Sequence, residues 1–147
     1  MTDYRDSDNQ SLASGTTAGG VSFMDGTYRE ALSLTREIRD YIAHQWRRDC
    51  EELPPVARLT ASCESMRLTS RATEIMAWLF VQKALHAGEI TSEEARAPER
   101  RLTEQAICTQ SHHEKEVVLP ERMTQLLQRS YDLYLRIQRL DAQLDSQ

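Results

Sequence analysis

The sequence predicts an all-α protein: an antiparallel three-helix bundle with a long central helix and a disordered N-terminal tail. The 147 residues include only five Gly, four Pro and two Phe, whereas Leu, Ala, Glu and Arg are frequent, which favours helices over sheets. Apolar residues recur at spacings of three and four in three long stretches. A chain of this length suits one domain, in which the central helix contacts both of its neighbours.

The first 22 residues, MTDYRDSDNQSLASGTTAGGVS, are predicted to form the disordered tail. They are rich in Ser, Thr, Gly and Asp, and their few apolar groups cannot offset the entropy lost on ordering. Thr27 and Glu30 then match a capping box, in which each side chain bonds the backbone N–H of the other residue. The sequence therefore predicts a folded region over 23–147 and a first helix over about 27–50, closed by Pro54-Pro55.

The central helix is predicted over about 56–87. A central-helix seam of apolar and small residues runs along it at heptad spacing, with small residues in the middle where neighbouring backbones could approach closely. Its members are Val56, Leu59, Cys63, Met66, Ser70, Thr73, Ala77, Phe80, Ala84 and Ala87. The run from Ile75 to Val81, IMAWLFV, is apolar all round and is predicted to be core. Gly88 suits a left-handed stop, and a Thr91–Glu94 capping box predicts a short following helix.

The third helix is predicted over about 120–145, after a polar loop at about 98–119 in which 99–107 is a candidate helical stretch. Pro120 suits the first turn of this helix because its missing N–H needs no partner there. The third-helix seam consists of Met123, Leu126, Ser130, Leu133, Ile137, Leu140 and Leu144. Leu127, Tyr131 and Tyr134 widen this seam beyond what one neighbour covers, so the sequence predicts a homodimer that buries the excess.

Charge and hydropathy exclude two classes of partner. The net charge of -5 and the pI near 5.4 argue against nonspecific nucleic-acid binding, which needs a basic face. No apolar run approaches the roughly 20 residues that cross a bilayer, and the N-terminus carries no signal-like segment. Cys50, Cys63 and Cys108 form an odd, widely spaced set, for which reduced thiols are expected. The sequence therefore predicts a cytoplasmic protein without membrane or nucleic-acid partners.

One group of residues could hold a metal: Cys108, His112, His113 and Glu114. A structural zinc site usually takes four ligands from two spaced pairs, and no second Cys or His pair is present, so a solvated loop is the favoured interpretation. The sequence also has no G-x-S-x-G, no Gly-rich phosphate loop and no H-E-x-x-H. It therefore predicts no enzyme, no catalytic residue, no cofactor and no metal. A metal-dependent enzyme at these four residues is the less favoured alternative.

A charged stripe lies along one side of the predicted central helix. It consists of Glu64, Arg67, Arg71, Glu74 and Trp78, at spacings of three and four. The alternating signs allow Glu64 to pair with Arg67 and Arg71, and Arg71 with Glu74. On a solvated surface each pair contributes only about 0.2–0.5 kcal/mol. Between helices, or facing a partner, losing one member costs several times more. The sequence leaves these interpretations open.

Residues 64–91, ESMRLTSRATEIMAWLFVQKALHAGEIT, resemble the central helix of the bacterial regulator of CtrA degradation (RcdA-like) family. Its members carry a similar ESMRLT-R run, then an apolar stretch with Trp and a G-E-hydrophobic-T turn. A weaker resemblance extends through VSFMDG and the third helix. The matching positions are Glu64, Ser65, Met66, Arg67, Leu68, Thr69, Arg71 and Trp78, then Gly88, Glu89, Ile90 and Thr91.

The resemblance implies a non-catalytic adaptor built as a three-helix bundle that is often dimeric. Such adaptors help the AAA+ protease ClpXP recognise regulatory proteins during the bacterial cell cycle, together with a response-regulator-like accessory protein. The implied partners are therefore ClpXP, that accessory protein and protein cargo. The alternative is a structural or regulatory helical protein that binds a different partner through the same faces.

Overall fold

A computed structural model describes residues 17–103, 105–110 and 117–146, with side chains described from Met24 onward. Within these ranges the chain is all-α and contains no strand. The helices are α1 (Thr17–His44), α2 (Trp46–Glu51), α3 (Pro55–His86), α4 (Ser92–Ala95), α5 (Gln105–Thr109) and α6 (Glu121–Gln143). Short 3-10 turns cover Pro98–Arg100 and Leu144–Ser146. No helix in the described ranges is both long and apolar enough to cross a membrane.

The three long helices α1, α3 and α6 contact one another in pairs, and α3 also contacts α2, α4, α5 and the 3-10 turn at Pro98–Arg100. The fully buried core side chains include Leu68, Ile75 and Leu79 of α3 and Leu126 and Ile137 of α6. Helix α5 packs against both α3 and α6. The segment predicted as a polar loop therefore contributes to the core, since Leu102 and Cys108 are buried there.

Helix α1 begins at Thr17, well before the predicted capping box. Thr27 is buried inside this helix, and the carboxylate of Glu30 accepts a hydrogen bond from Arg136 of α6 at 2.6 Å. The helix also continues upstream because Met24 and Tyr28 pack against the core. Residues 17–22 of the predicted tail are thus helical, and residues 1–16 of it lie outside the described residues.

The ends of the other predicted helices have identifiable causes. The first predicted helix is divided at Gln45, whose N–H nevertheless donates to the carbonyl of Tyr41 at 2.9 Å. Beyond α3, Gly88 has a φ of 73°, which confirms the left-handed stop. The Thr91–Glu94 capping box is also confirmed, with bonds of 2.8 and 3.1 Å between each side chain and the other residue's N–H.

The face of α3 that enters the core is the opposite of the one marked by the central-helix seam. Four large seam residues are exposed: Val56 by 69%, Leu59 by 67%, Met66 by 71% and Phe80 by 55%. The buried face carries Ala57, Ala61, Glu64, Leu68, Arg71, Ala72, Ile75, Met76, Trp78, Leu79 and Gln82. Within IMAWLFV, Ala77 and Phe80 are therefore exposed. The seam was misassigned because polar residues interrupt the true core face, where hydrogen bonds compensate their burial.

Helix α6 follows its predicted seam more closely. Met123, Leu126, Ser130, Leu133 and Ile137 are all buried, which confirms that part of the third-helix seam, whereas Leu140 and Leu144 are half-buried. The wider stripe is largely covered within the chain, because α1, α3 and α5 all pack on α6 and Tyr134 is fully buried. Leu127 and Tyr131 stay half-buried, so the surplus of apolar surface from which a homodimer was predicted is reduced.

Candidate functional site on the central helix

The charged stripe lies between helices. Glu64 and Arg71 are each only 2% exposed and Trp78 is 3% exposed, while Arg67 and Glu74 are half-buried. These side chains emerge from the side of α3 that packs against α5 and α6. The interpretation of this stripe as weak ion pairs on a solvated surface therefore does not describe the site.

Arg71 is the centre of this site. Its Nε donates to the carbonyl of Cys108 at 2.9 Å, and its Nη2 donates to the carbonyl of Gln110 at 3.1 Å. Its Nη1 donates to the carbonyl of Leu127 at 3.1 Å and to Oγ of Ser130 at 3.2 Å. One guanidinium thus links α3 to main-chain carbonyls of α5, of Gln110 directly after α5, and of α6. Main-chain acceptors are expensive to bury without a donor, so Arg71 stabilises all three segments together.

Arg67 binds the same segment one turn earlier. Its Nε donates to the carbonyl of Ile107 at 3.1 Å and its Nη2 to Oε1 of Gln110 at 3.0 Å. Its Nη1 forms an ion pair with the buried carboxylate of Glu64. Residues 107–110 are therefore held to α3 by two neighbouring arginines.

The predicted pairing of Arg71 with Glu74 is replaced by a different arrangement. The carboxylate of Glu74 accepts hydrogen bonds from Thr103, at 3.0 Å from its N–H and 3.1 Å from its hydroxyl. The guanidinium of Arg71 instead stacks over the ring of Tyr131, 5.2 Å from the ring centroid. Glu74 therefore binds Thr103 near the start of the segment that contains α5, and Arg67 and Arg71 bind residues 107–110 at its end.

Trp78 belongs to a second polar cluster at the far end of the stripe. Its indole Nε1 donates to Oδ1 of Asp141 at 2.8 Å, and Nε of Arg101 donates to the same oxygen at 2.7 Å. Arg101 also donates to the main-chain carbonyl of Asp141 at 2.7 Å and to the exposed carboxylate of Asp145 at 2.8 Å. This cluster joins α3, the segment before α5 and the C-terminal end of α6.

The electrostatics of the site follow from burial. Burial lowers the pKa of the Arg71 guanidinium, and the nearby charge of Arg67 acts in the same direction. The carboxylate of Glu64 opposes both effects and raises the pKa of Arg71. Burial likewise raises the pKa of the Tyr134 hydroxyl beside Cys108. The guanidinium of Arg71 stays positively charged among these carbonyls. It is therefore suited to holding helices together and not to exchanging protons.

Two further ion-pair groups were not predicted from the sequence. Asp141 carried a usable signal: it lies four residues after Ile137 on the apolar side of α6, where a carboxylate indicates a buried partner. Its partner Arg101 carried no signal, because it lies in a stretch that reads as a polar loop. Glu37 of α1 was also missed; it accepts a two-bond fork from Arg129 at 2.9 and 2.7 Å and another bond from Arg122 at 3.0 Å.

Most of the predicted metal-capable group lies outside the described residues. Cys108 is buried in the core, whereas His112, His113 and Glu114 lie outside the described residues. Across 17–103, 105–110 and 117–146, no three His, Cys, Asp or Glu side chains lie close enough to hold a metal ion.

The exposed side of α3 borders a groove against α1, which we call the α1–α3 groove. It encloses about 780 Å³. Its lining is almost wholly apolar and includes Ile38 and Ile42 of α1 and Ala72, Met76 and Phe80 of α3. The central-helix seam therefore forms one wall of a concave surface, on the side of α3 that faces away from the arginine network.

Comparisons with known proteins agree with this helical framework. A family model described as "Protein of unknown function (DUF1465)" matches residues 20–147. The crystal structure of RcdA from Caulobacter crescentus CB15 is similar with a TM-score of 0.68 and 33% sequence identity, over 82% of this chain and 89% of that chain. The chain belongs to the RcdA-like family. A comparison with curated proteins finds no match.

The RcdA-like run is divided between the two sides of α3. Glu64, Leu68 and Arg71 point into the polar and apolar core, whereas Met66 and Thr69 are exposed. Thr69 also lines the α1–α3 groove. Some residues of the RcdA-like run thus bind the segment that ends at residue 110, and others form part of the exposed surface on the opposite side of α3.

Proposed function

We propose that this chain is a non-catalytic adaptor that helps the protease ClpXP recognise regulatory proteins during the cell cycle. The observation that carries the proposal is its membership of the RcdA-like family over most of its length. In this proposal the three long helices form a three-helix bundle that acts in the cytoplasm. Its partners are ClpXP, a response-regulator-like accessory protein and protein cargo.

The arrangement of the polar residues supports a role in binding rather than in catalysis. The buried arginines donate to main-chain carbonyls and to carboxylates that fix neighbouring helices, so they hold a rigid platform. An adaptor of this kind needs no cofactor, because it raises the local concentration of cargo at the protease through two modest contacts. The exposed, largely apolar side of α3 offers a surface for one such contact.

Binding of the purified protease tests this proposal directly. The chain is immobilised and incubated with ClpX and ATP, with and without the response-regulator-like accessory protein from the same cell. We expect ClpX to be retained by the chain when the accessory protein is present, and not by the bare support. The contrary result is that the chain retains neither ClpX nor the accessory protein and reproducibly captures a different partner from the native cell. That result would support a structural or regulatory protein of another pathway.

Self-association of the chain stays a prediction. The apolar stripe of α6 supports it less than the sequence suggested, because α1, α3 and α5 cover much of that stripe within the chain. Sedimentation velocity over a wide range of protein concentrations measures it independently of any protease.

A further inference from the structure

We propose that the α1–α3 groove binds a short amphipathic helix of a protein partner, with apolar side chains at i, i+4 and i+7 and a carboxylate that meets Arg39. The proposal deepens the adaptor function by naming the partner chemistry that this surface accepts. It rests on that function only for the biological role of the partner, because binding to the groove is measurable without any protease.

The dimensions of the groove match such a helix. Its α3 wall runs from Thr69 to Phe80 and its α1 wall from Thr35 to Ala43. At a rise of 1.5 Å per residue these walls are about 16 Å and about 12 Å long, which accommodates about two to three turns of a partner helix. Anchors at i, i+4 and i+7 span about 10 Å, which is shorter than either wall and therefore fits within the groove. A volume of about 780 Å³ is also within the range of preformed binding sites, roughly 300–1,000 Å³.

The groove is held open by packed side chains. Ile38, Ala72 and Met76 belong to the buried core, so the floor is fixed by the same contacts that stabilise the fold. At one end the ring of Phe80 contacts the ring of Tyr28 edge-on, with 6.0 Å between centroids. The ammonium of Lys83 lies 4.1 Å from the centroid of that Tyr28 ring. A preformed surface loses little conformational freedom on binding, which favours affinity.

The charge of the groove favours a partner helix with an acidic residue. Among the described residues that line it, Arg39 alone carries a charge. Within the part of the chain that the structure describes, Arg39 bonds its neighbour Asp40, and both side chains are more than half exposed, so this pair is weak. A carboxylate on the partner helix would reach Arg39 at the rim while its apolar face fills the groove.

A second copy of this chain fits the groove less well. A two-fold interface that matches this groove with itself would set one concave apolar surface against another, so neither copy would present a convex helix to fill the groove of the other. The exposed seam beyond the groove, at Met66 and Leu59, extends the apolar surface along α3 for a longer partner helix. These features select a helix from a different protein as the occupant.

The test is selection from a phage-displayed library of helical peptides of about five turns, in which apolar and charged residues vary, against the intact chain. Selected peptides are synthesised and their affinities measured by fluorescence anisotropy. Three variants change the groove: Ala77→Glu fills it, Phe80→Ser removes its end wall and Arg39→Glu reverses its charge. Val118→Glu is the matched control, because Val118 is 85% exposed and does not line the groove. Circular dichroism verifies that each variant is folded.

We expect enriched peptides with apolar residues at i, i+4 and i+7 and a neighbouring carboxylate. Ala77→Glu and Phe80→Ser should weaken their binding at least about tenfold, Arg39→Glu should weaken it several-fold with a loss of salt dependence, and Val118→Glu should leave it unchanged. Three results would overturn the proposal: no enriched helical peptide, binding that ignores the groove variants, or a dimer in sedimentation that Ala77→Glu converts to monomer. The last result would identify a second copy as the occupant. Each is obtained without ClpXP and so leaves the adaptor function to its own test.

Discussion

Arg71 of the central helix donates a hydrogen bond to the main-chain carbonyl of Cys108, with 2.9 Å between Nε and O. This contact joins the middle of α3 to α5, and the other donors of the same guanidinium reach Gln110 and Leu127. A residue at the centre of the RcdA-like run is therefore part of the framework of the protein. The opposite side of the same helix is free of this role and presents the apolar seam.

Arg71→Ala should lower the free energy of unfolding by about 3 kcal/mol, because the carbonyl of Cys108 loses its buried donor while the carbonyls of Gln110 and Leu127 each lose a bond. Urea denaturation followed by circular dichroism measures the change. Arg39→Ala is the control, since Arg39 lies on the surface and its loss should cost less than about 0.5 kcal/mol. Equal stability of the two variants would show that the buried network does not hold the fold.

Asp141 and Asp145 bind the same arginine in different environments, which allows a matched comparison. Asp141→Ala should cost about 3 kcal/mol, because it leaves Arg101 and the indole N–H of Trp78 without their buried acceptor. Asp145→Ala should scarcely change stability, because that carboxylate is exposed. Thermal unfolding of both variants measures the difference, and a larger loss for Asp145→Ala would contradict this assignment.

Glu37 makes the stability of the α1–α6 contact depend on pH. Hydrogen bonds from Arg129, followed by those from Arg122, lower the pKa of this carboxyl to about 2. Its pKa in the folded chain is below the unfolded value, so its contribution is present above about pH 4.5 and is lost as the pH falls toward 2. Because Glu37 is partly exposed, Glu37→Gln should cost only about 1 kcal/mol at pH 7.

The same measurement at low pH provides the check for Glu37. Urea titrations from pH 7 to pH 2 should show the stabilities of wild type and Glu37→Gln converging as the carboxyl becomes protonated. A difference that stays constant over this interval would mean that the ion pairs with α6 do not form in solution.

Leu68 and Met66 test which face of α3 is buried. Leu68 is fully buried and Met66 is 71% exposed. Leu68→Ala should therefore cost about 3 kcal/mol through lost burial and the cavity left behind, whereas Met66→Ala should stay within about 0.5 kcal/mol. Urea denaturation of the two variants gives the comparison. The reverse order would restore the face that the heptad spacing alone predicted.

The cysteines report the same orientation chemically. Cys63 is exposed on the central-helix seam, whereas Cys50 and Cys108 are buried. Burial also raises the pKa of the Cys50 thiol, which reduces its reactive thiolate. Ellman's reagent should therefore modify one thiol rapidly in the folded chain and all three in urea. Cys63→Ser should abolish the fast reaction, and its persistence in that variant would place another cysteine at the surface.

The sequence predicted the helices better than it predicted their orientation. The spacing of apolar residues, with the helix-stop signal at Gly88 and the helix-start signal at Pro120, was sufficient to predict the all-α class and most of the buried face of α6. The orientation of α3 could not be obtained this way, because this helix is apolar on both sides. Its core face contains Glu64 and Arg71, which a pattern of apolar residues excludes.

The candidate site was predictable in its members but not in its partners. Alternating charges identified Glu64, Arg67 and Arg71, because side chains three or four residues apart share one side of a helix. Their main partners are carbonyl groups of 107–110 and of α6, and every residue has a carbonyl, so no residue type marks them. The α1–α3 groove is likewise a product of how two helices pack.

The rate at which ClpXP degrades its cargo is the measurement that tests the adaptor proposal most directly. The reaction contains ClpXP, ATP, the response-regulator-like accessory protein and a regulatory protein from the same cell that co-purifies with this chain, with and without the chain. The account predicts that adding the folded chain increases the rate of cargo loss severalfold at cargo concentrations below saturation. A rate that stays unchanged at every concentration of the chain, with the accessory protein present, would contradict it.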